Sequence, residues 1–497
     1  MGCVAVALID RFSRGISATL LSRGVKMVAN AALLVVLARF LLSPDEYGLL
    51  YLTISIVGVA RLFSDLGLGR STARYVNEYK EDGGGQLHHV LRVGFAVRLG
   101  LVIAVAIAVA LGRGVIADLV GQPALGPYLL VGSLYLAVIS FQSFFSVLFQ
   151  GFSRVTLSAC VGITNSISRV VFAVAFVLLG LGGVGALLGY VVAAALAVVV
   201  GAALLYTQLY VRYEHDDERE DGLRRRILEY SIPLTATRSA NTLDKRVDTI
   251  LVGALAGPAA AGFYTVGKQV SAFLDVPARS IGFTVSPAYG EEKANGEYER
   301  AARMYEASLR YVLLLYVPAA TGLLLVADPA IVLVFGQDYA AATLVVQVMS
   351  IYVVFQAINL VTTQGLDYLG RARERAIGKG ITAVGNVVLN VLLIPPYGAA
   401  GAAAATVLTF GFYVAGNVYI MHAELPVRTG RLRKTAGRVI AVSAGMAVGV
   451  ALVMPHVSSI VSLVAVVALG VVIWGALSIA SGLLDVGEAV TVLSRLT

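Results

Sequence analysis

Charge is scarce in this sequence. Only 14% of its 497 residues are Asp, Glu, Lys or Arg, where soluble chains carry about 25%, so a soluble globular fold is excluded. Cysteine is nearly absent. Cys3 stands near the first residue and Cys160 inside an apolar run, so neither a disulfide framework nor a thiolate metal site is available. The five histidines, His88, His89, His215, His422 and His456, fall at helix ends or in connections. That removes what a metalloenzyme or a histidine-based catalyst would need, and no cofactor or metal site is expected. Long external loops with paired carboxylates are missing too, which argues against a glycan polymerase, a glycosyltransferase or any other enzyme. No small-residue cleavage site follows an apolar core within the first 15 residues, so the first span is expected to act as its own uncleaved signal.

What the chain has instead is apolar sequence. Hydrophobic residues make up 58% of it and the mean hydropathy is +0.82. They come in runs of about 20 residues, the length that crosses a bilayer as a helix. The alternating runs of about 10 residues that mark barrel strands are absent. The chain therefore reads as an all-α integral membrane protein. Fourteen transmembrane helices are expected, at 16–41, 47–69, 89–111, 127–150, 155–180, 184–209, 229–255, 262–286, 303–327, 341–366, 372–394, 399–422, 437–454 and 459–483.

The first twelve spans are written twice. Phe141-Gln142 recurs as Phe355-Gln356, and Gln150-Gly151 as Gln364-Gly365, each 214 residues on. Ser43-Pro44-x-x-x-Gly48 recurs as Gly257-Pro258-x-x-x-Gly262, and Tyr75-x-x-Glu78 as Tyr289-x-x-Glu292, at the same offset. Residues 1–210 thus read as a first six-helix lobe, 211–228 as a linker, 229–424 as a second six-helix lobe and 425–497 as two extra helices with a tail. Six is even, so both copies enter the membrane from one side. Parallel copies are related by an axis along the membrane normal, with a central cavity between them that can open to either face.

The connections orient the chain. Twenty-two Lys and Arg residues lie on one side, against Arg113 alone on the other. By the positive-inside bias both termini are cytoplasmic, in a multi-pass plasma-membrane protein. The net charge of +8 is mostly this bias and calls for no nucleic-acid partner. The polar stretch His215–Asp221 falls in the cytoplasmic linker.

Chemistry, in such a chain, rests with the ions inside the spans. Each costs about 2.5–3.5 kcal/mol at a bilayer centre, so most must face a wet cavity or pair with one another. They concentrate in spans 1, 2, 7 and 8, which the repeat makes equivalent in pairs. The candidate cavity cations are Arg23, Lys26, Arg61, Arg238, Lys245, Arg246, Lys268 and Arg279; the candidate coupling-ion carboxylates are Asp65, Asp244, Asp248 and Asp275. Eight cations against four anions suit an anionic cargo, and the arginine fork suits phosphate. Arg61 and Asp65 are four apart and can pair on one helix face, as can Asp275 and Arg279. Such a pair is either a structural lock or part of the transport site. Arg92, Arg98 and Arg303 are expected to snorkel to the cytoplasmic interface, and Arg23 and Lys26 lie close enough to a span end to do the same. Pro233, Pro277, Pro287 and Pro318 fall in or beside spans of the second copy, predicting that its helices are the more bent. The last two spans either form a groove for a lipid tail or stabilise the lobe.

Leu42-Ser43-Pro44-Asp45-Glu46-Tyr47-Gly48-Leu49-Leu50, with Phe63-Ser64-Asp65-Leu66-Gly67-Leu68 and Arg74-Tyr75 after it, resembles the polysaccharide-type oligosaccharide flippases. Arg246-Val247-Asp248-Thr249-Ile250-Leu251-Val252-Gly253, followed by Gly262-Phe263-Tyr264, does so too. These flippases belong to the superfamily of multidrug, oligosaccharidyl-lipid and polysaccharide exporters. The resemblance implies two six-helix lobes in a V around the central cavity. It also implies alternating-access transport of a polyprenyl-(pyro)phosphate-linked oligosaccharide from the cytoplasmic to the outer leaflet, for surface polysaccharide or glycoprotein assembly. Cavity cations would hold the phosphate, and Na⁺, H⁺ or the membrane potential would supply the drive. Cations of the first two spans in the lipid II flippase branch take places comparable to Arg23, Lys26 and Arg61, although this chain lacks that branch's full motif set. The implied partners are the lipid-linked oligosaccharide and membrane lipid, around a monomeric transport unit. The alternative is a cation-coupled multidrug or toxin antiporter of the same superfamily, against which the extra pair of spans and the positive cavity argue.

Overall fold

Local chemistry sets where helices start and break in the computed structural model, which describes residues 21–80, 85–213 and 220–484. Every regular element among these residues is helical. The first helix, α1 (Leu21–Leu41), ends in a wide π turn over Leu37–Leu41. Ser43 then caps α2 (Pro44–Asp65). Its hydroxyl accepts from the Glu46 N–H, the Glu46 carboxylate accepts from the Ser43 N–H, and Pro44 fills the first turn, where a missing N–H costs nothing.

The second span is expected over 47–69, but α2 stops at Asp65. Leu66 (φ 39°) and Gly67 (φ 72°) are both left-handed, and α3 (Leu68–Tyr79) begins directly after them. Two successive left-handed residues cannot continue a right-handed helix. Glycine at the second position removes half of the steric cost.

The first unit, Met1–Gly262, continues with α4 (Leu87–Leu111), α5 (Arg113–Val120), α6 (Leu125–Gly151), α7 (Val155–Phe176), α8 (Gly182–Gln208) and α9 (Leu223–Ala256). Helix α6 is central and is packed by α2, α3, α4, α7 and α8. Its Phe144, Phe145, Leu148 and Phe149 meet Tyr75, Val76, Val90 and Leu91 in the core. Helix α9, which the repeat assigns to the second copy, packs on α2 and α3 within this unit. The two Pro-x-x-x-Gly copies also meet each other here: Gly48 lies against the Pro258 backbone, and Gly262 against that of Pro44.

Helix α10 (Pro258–Phe273) runs on into the second unit, Phe263–Thr497. There follow α11 (Asp275–Ala294), α12 (Tyr298–Phe335), α13 (Ala342–Tyr368), α14 (Ala372–Glu424), α15 (Thr429–Val453) and α16 (Ile460–Ala480). The single span expected over 262–286 is two helices that part at Leu274. Tyr289, Tyr305, Val353, Val361 and Met421 form the core between α11, α12, α13 and α14. Helices α15 and α16 pack on α12 through Val439, Met446, Val450, Val466 and Trp474. Pro287, Pro318, Pro329, Pro395 and Pro396 lie inside helices of this unit.

Ten helical segments among the described residues are long and apolar enough to cross a membrane. Two of them, Val155–Arg212 with 58 residues and Ala372–Glu424 with 53, exceed twice the ~20 residues a bilayer needs. Each is interrupted by left-handed glycine, Gly180 in the first and Gly398 in the second. Helix α9 is not among the ten, because Arg238, Asp244, Lys245, Arg246 and Asp248 all lie within it.

Candidate functional site

Helices α2 and α9 run together within the first unit. Helical spacing brings Gly58, Arg61, Leu62 and Asp65 of α2 to the same cavity as Thr235, Thr242, Lys245 and Arg246 of α9. The cavity has a volume of about 270 Å³, and the left-handed pair Leu66 and Gly67 completes its lining. A bare glycine makes room for Arg246. A Cβ added to Gly58 would stand 3.1 Å from Nε of Arg246, so the guanidinium lies directly against the α2 backbone.

Three cations, Arg61, Lys245 and Arg246, thus line the cavity with one carboxylate, Asp65. That carboxylate is engaged. Nη1 of Arg98 on α4 donates to Asp65 Oδ1 at 2.6 Å, and Nη2 donates to the Ser140 carbonyl on α6 at 2.8 Å. The guanidinium carbon lies 5.1 Å from the centre of the Phe144 ring. Beside it, the hydroxyls of Ser64 and Ser140 meet at 3.3 Å. Two sequence expectations are corrected here. Arg98 does not snorkel: it is 0% exposed. The carboxylate of Asp65 pairs across helices with Arg98, 33 residues on, rather than serving only its own helix face.

The other sequence candidates scatter. Arg23 and Lys26 are exposed on α1, with the Lys26 ammonium over Gly162 of α7; neither lines the cavity. Asp248 is buried on α9, one turn from Lys245. Lys268 and Arg279 belong to the second unit, where Lys268 Nζ stands 5.4 Å from the Tyr264 ring centre and Arg279 is exposed. The side chains of Arg238, Asp244 and Asp275 lie outside the described residues, as does most of the 211–228 linker's acidic stretch. No group of three His, Cys, Asp or Glu side chains suited to a metal occurs among the described residues.

Two features were not singled out from the sequence. Gly58 has no side chain to mark it. Lys379, in the expected eleventh span, sits 5.6 Å from the Phe410 ring centre and 5.1 Å from that of Tyr413; its position eight residues into α14 was the available signal.

Residues 12–291 match the family model described as polysaccharide biosynthesis protein, and residues 233–395 match the MatE model. The chain is 26% identical over 164 residues to the probable low-salt glycan biosynthesis flippase Agl15 of Haloferax volcanii, a match spanning 33% of this chain and only 35% of that protein. It is 24% identical over 385 residues to the lipopolysaccharide biosynthesis protein WzxC of Escherichia coli, spanning 76% of this chain and 73% of the other. Among solved structures, the lipid II flippase MurJ in an inward closed conformation superposes with a TM-score of 0.74 at 14% identity, over 93% of this chain and 97% of that one. An inward-facing multidrug resistance MATE transporter gives 0.65 at 14% identity, over 83% and 96%. The fold is therefore that of these transporters.

Proposed function

The chain belongs to the polysaccharide biosynthesis protein family, and on that premise we propose that it is a flippase for a polyprenyl-(pyro)phosphate-linked oligosaccharide. Its cargo moves from the cytoplasmic to the outer leaflet by alternating access, for surface polysaccharide or glycoprotein assembly. The observation that carries this reading is the trio Arg61, Lys245 and Arg246 around one cavity, with its single carboxylate engaged by Arg98. Clustered cations within a membrane fold are costly, and an anionic ligand offsets that cost. A cavity of about 270 Å³ is smaller than the roughly 300–1,000 Å³ pockets that enclose drug-sized ligands. It matches a phosphate or diphosphate head, leaving the sugar and the polyprenyl chain outside it. The two arginines supply planar forks for the phosphate oxygens and Lys245 a mobile point charge.

The same reading has fourteen transmembrane helices, twelve of them in two parallel six-helix lobes in a V around a central cavity, with two C-terminal helices added. Both termini are cytoplasmic, in the plasma membrane, and the transport unit is a monomer. The 214-residue repeat and the one-sided basic connections support it. Na⁺, H⁺ or the membrane potential supplies the drive, with Asp65, Asp244, Asp248 and Asp275 as the candidate coupling-ion carboxylates. Arg23, Lys26, Arg238, Lys268 and Arg279 remain the further candidate cargo cations of this reading.

The test is complementation of a strain lacking the protein. Arg61→Ala and Arg246→Ala, at normal membrane level, are expected to leave surface glycan absent and lipid-linked precursor accumulating. Full restoration of surface glycan by both variants would sink the reading. The MATE-like fold supports the antiporter as a second reading, which drug efflux lost on Asp248→Asn, with normal surface glycan, would favour.

A further inference from the structure

Helix α2 ends at the cavity in a carboxylate, and that carboxylate is held from behind. Asp65 is the last residue of α2; Leu66 and Gly67 then turn the chain through two left-handed residues into α3. The side chain of Asp65 is 16% exposed and that of Arg98 only 1%. Arg98 reaches it from α4 and at the same time grips the Ser140 carbonyl of α6, so one buried guanidinium joins three helices at the break. Glycine leaves space for the arrangement: a Cβ on Gly69 would stand 3.7 Å from Asp65 Oδ1 and 3.8 Å from Arg98 Nη1. Arg61 stands one turn before Asp65, and its carbonyl accepts from the Ser64 hydroxyl.

We infer that Arg98 is a positioning residue acting through Asp65, and that Asp65 is the partner of Arg98 rather than a coupling-ion carboxylate. The pair does two things. It fixes the last turn of α2, and with it the direction from which Arg61 enters the cavity. It also balances the negative charge of Asp65 from the α4 side, beside the cavity that Arg61, Lys245 and Arg246 line. A carboxylate without Arg98 would carry its full negative charge at the same cavity and compete with the phosphate for the cations. The inference rests on the anionic-cargo reading for its second half only; the locking of α2 stands on the geometry.

The experiment is a double-mutant cycle on the full chain in lipid nanodiscs, with farnesyl pyrophosphate as the probe and the melting temperature as a second readout. Arg98→Gln frees the carboxylate and is expected to weaken binding at least tenfold. Asp65→Asn leaves a buried arginine without its carboxylate and is expected to lower the melting temperature. The combined Arg98→Gln/Asp65→Asn variant, neutral on both sides, is expected to bind within about threefold of wild type and to regain most of the lost melting temperature. Arg98→Lys, which keeps the charge but cannot span both acceptors, should fall between. A double variant that binds no better than Arg98→Gln overturns the inference. So does one that binds normally but has lost Na⁺- or H⁺-dependent transport, since Asp65 would then be the coupling group. Should the single variants fail to fold, a folded, binding double variant supports the pairing and an unfolded one overturns it. If wild type does not bind the probe, the anionic-cargo reading falls, while the melting-temperature cycle still decides whether Arg98 positions Asp65.

Discussion

Gly48 lies backbone to backbone against Pro258, the repeat counterpart of Pro44, and Gly262, the counterpart of Gly48, lies against Pro44 in return. The two helix starts that the duplication made alike thus pack on each other through the one residue that has no side chain. At both sites the glycine is required by close approach: a Cβ on Gly48 would fall inside the Pro258 carbonyl, and one on Gly262 would stand 2.9 Å from the Pro44 oxygen.

Gly48→Ala is therefore expected to destabilise the protein by about 1–3 kcal/mol, the range of a forced overpacking. Gly100→Ala, on α4 with nothing within 4 Å of the added carbon, should be neutral or stabilising, because glycine in a helix interior is entropically costly. Melting in detergent checks the contrast. Equal behaviour of the two variants would show that the close approach does not hold in the working protein.

Gly58→Val should displace Arg246. The added carbon begins 3.1 Å from Nε, and a branched side chain leaves the guanidinium no path over α2. A lost charge-assisted hydrogen bond is worth about 1.5–3 kcal/mol, which corresponds to roughly a 10- to 150-fold loss of pyrophosphate-ligand affinity. Arg246→Lys should lose less than Arg246→Ala but not match wild type, since a point charge replaces the fork. Titration calorimetry with farnesyl pyrophosphate measures all three.

Tyr79, at the end of α3, gives a pH prediction. Burial first, and then donation of its hydroxyl to Glu220, push its pKa up to about 12. An unfolded tyrosine ionises near pH 10, so between pH 10 and 12 unfolding releases a proton that the folded protein keeps. Stability should fall across that window in wild type more steeply than in Tyr79→Phe. Parallel melting curves from pH 8 to 12 would detect this, and identical slopes would refute it.

Glu424, at the end of α14, accepts from Lys293 at 2.7 Å and from Arg371 at 2.7 Å, with its side chain 11% exposed. Glu299 pairs only at 3.3 Å with Arg303, and both are exposed. Exposed pairs contribute about 0–1 kcal/mol, whereas leaving a partly buried charge unpartnered costs about 1–3 kcal/mol. Glu424→Gln should thus lower the melting temperature clearly and Glu299→Gln hardly at all.

Part of the cavity lining was legible in the sequence. The concentration of ions in the second and seventh spans pointed to α2 and α9, and Arg61, Lys245 and Arg246 do share one cavity. Arg23 and Lys26, chosen by the same reasoning, do not line it. Charge counting says that a helix carries costly groups but not which of its faces they occupy relative to a neighbour. Arg98 shows the converse. It stands eleven residues beyond the start of α4, about 16 Å along a helix rising 1.5 Å per residue. That is too deep to snorkel, so its depth announced a buried partner, but nothing in the chain named Asp65.

The sequence by itself determined that this is a helical membrane protein, that its motifs recur at an offset of 214 residues, and that its intramembrane charges concentrate in a few spans. Those properties follow from composition, hydropathy and periodicity, which act between residues near one another along the chain. Only the tertiary structure decided that Asp65 pairs with Arg98, that Gly58 makes room for Arg246, and that the two Pro-x-x-x-Gly turns interlock. Each of these depends on which helices pack side by side. Inside a low-dielectric interior, that packing determines which charges can neutralise each other and which backbones can touch.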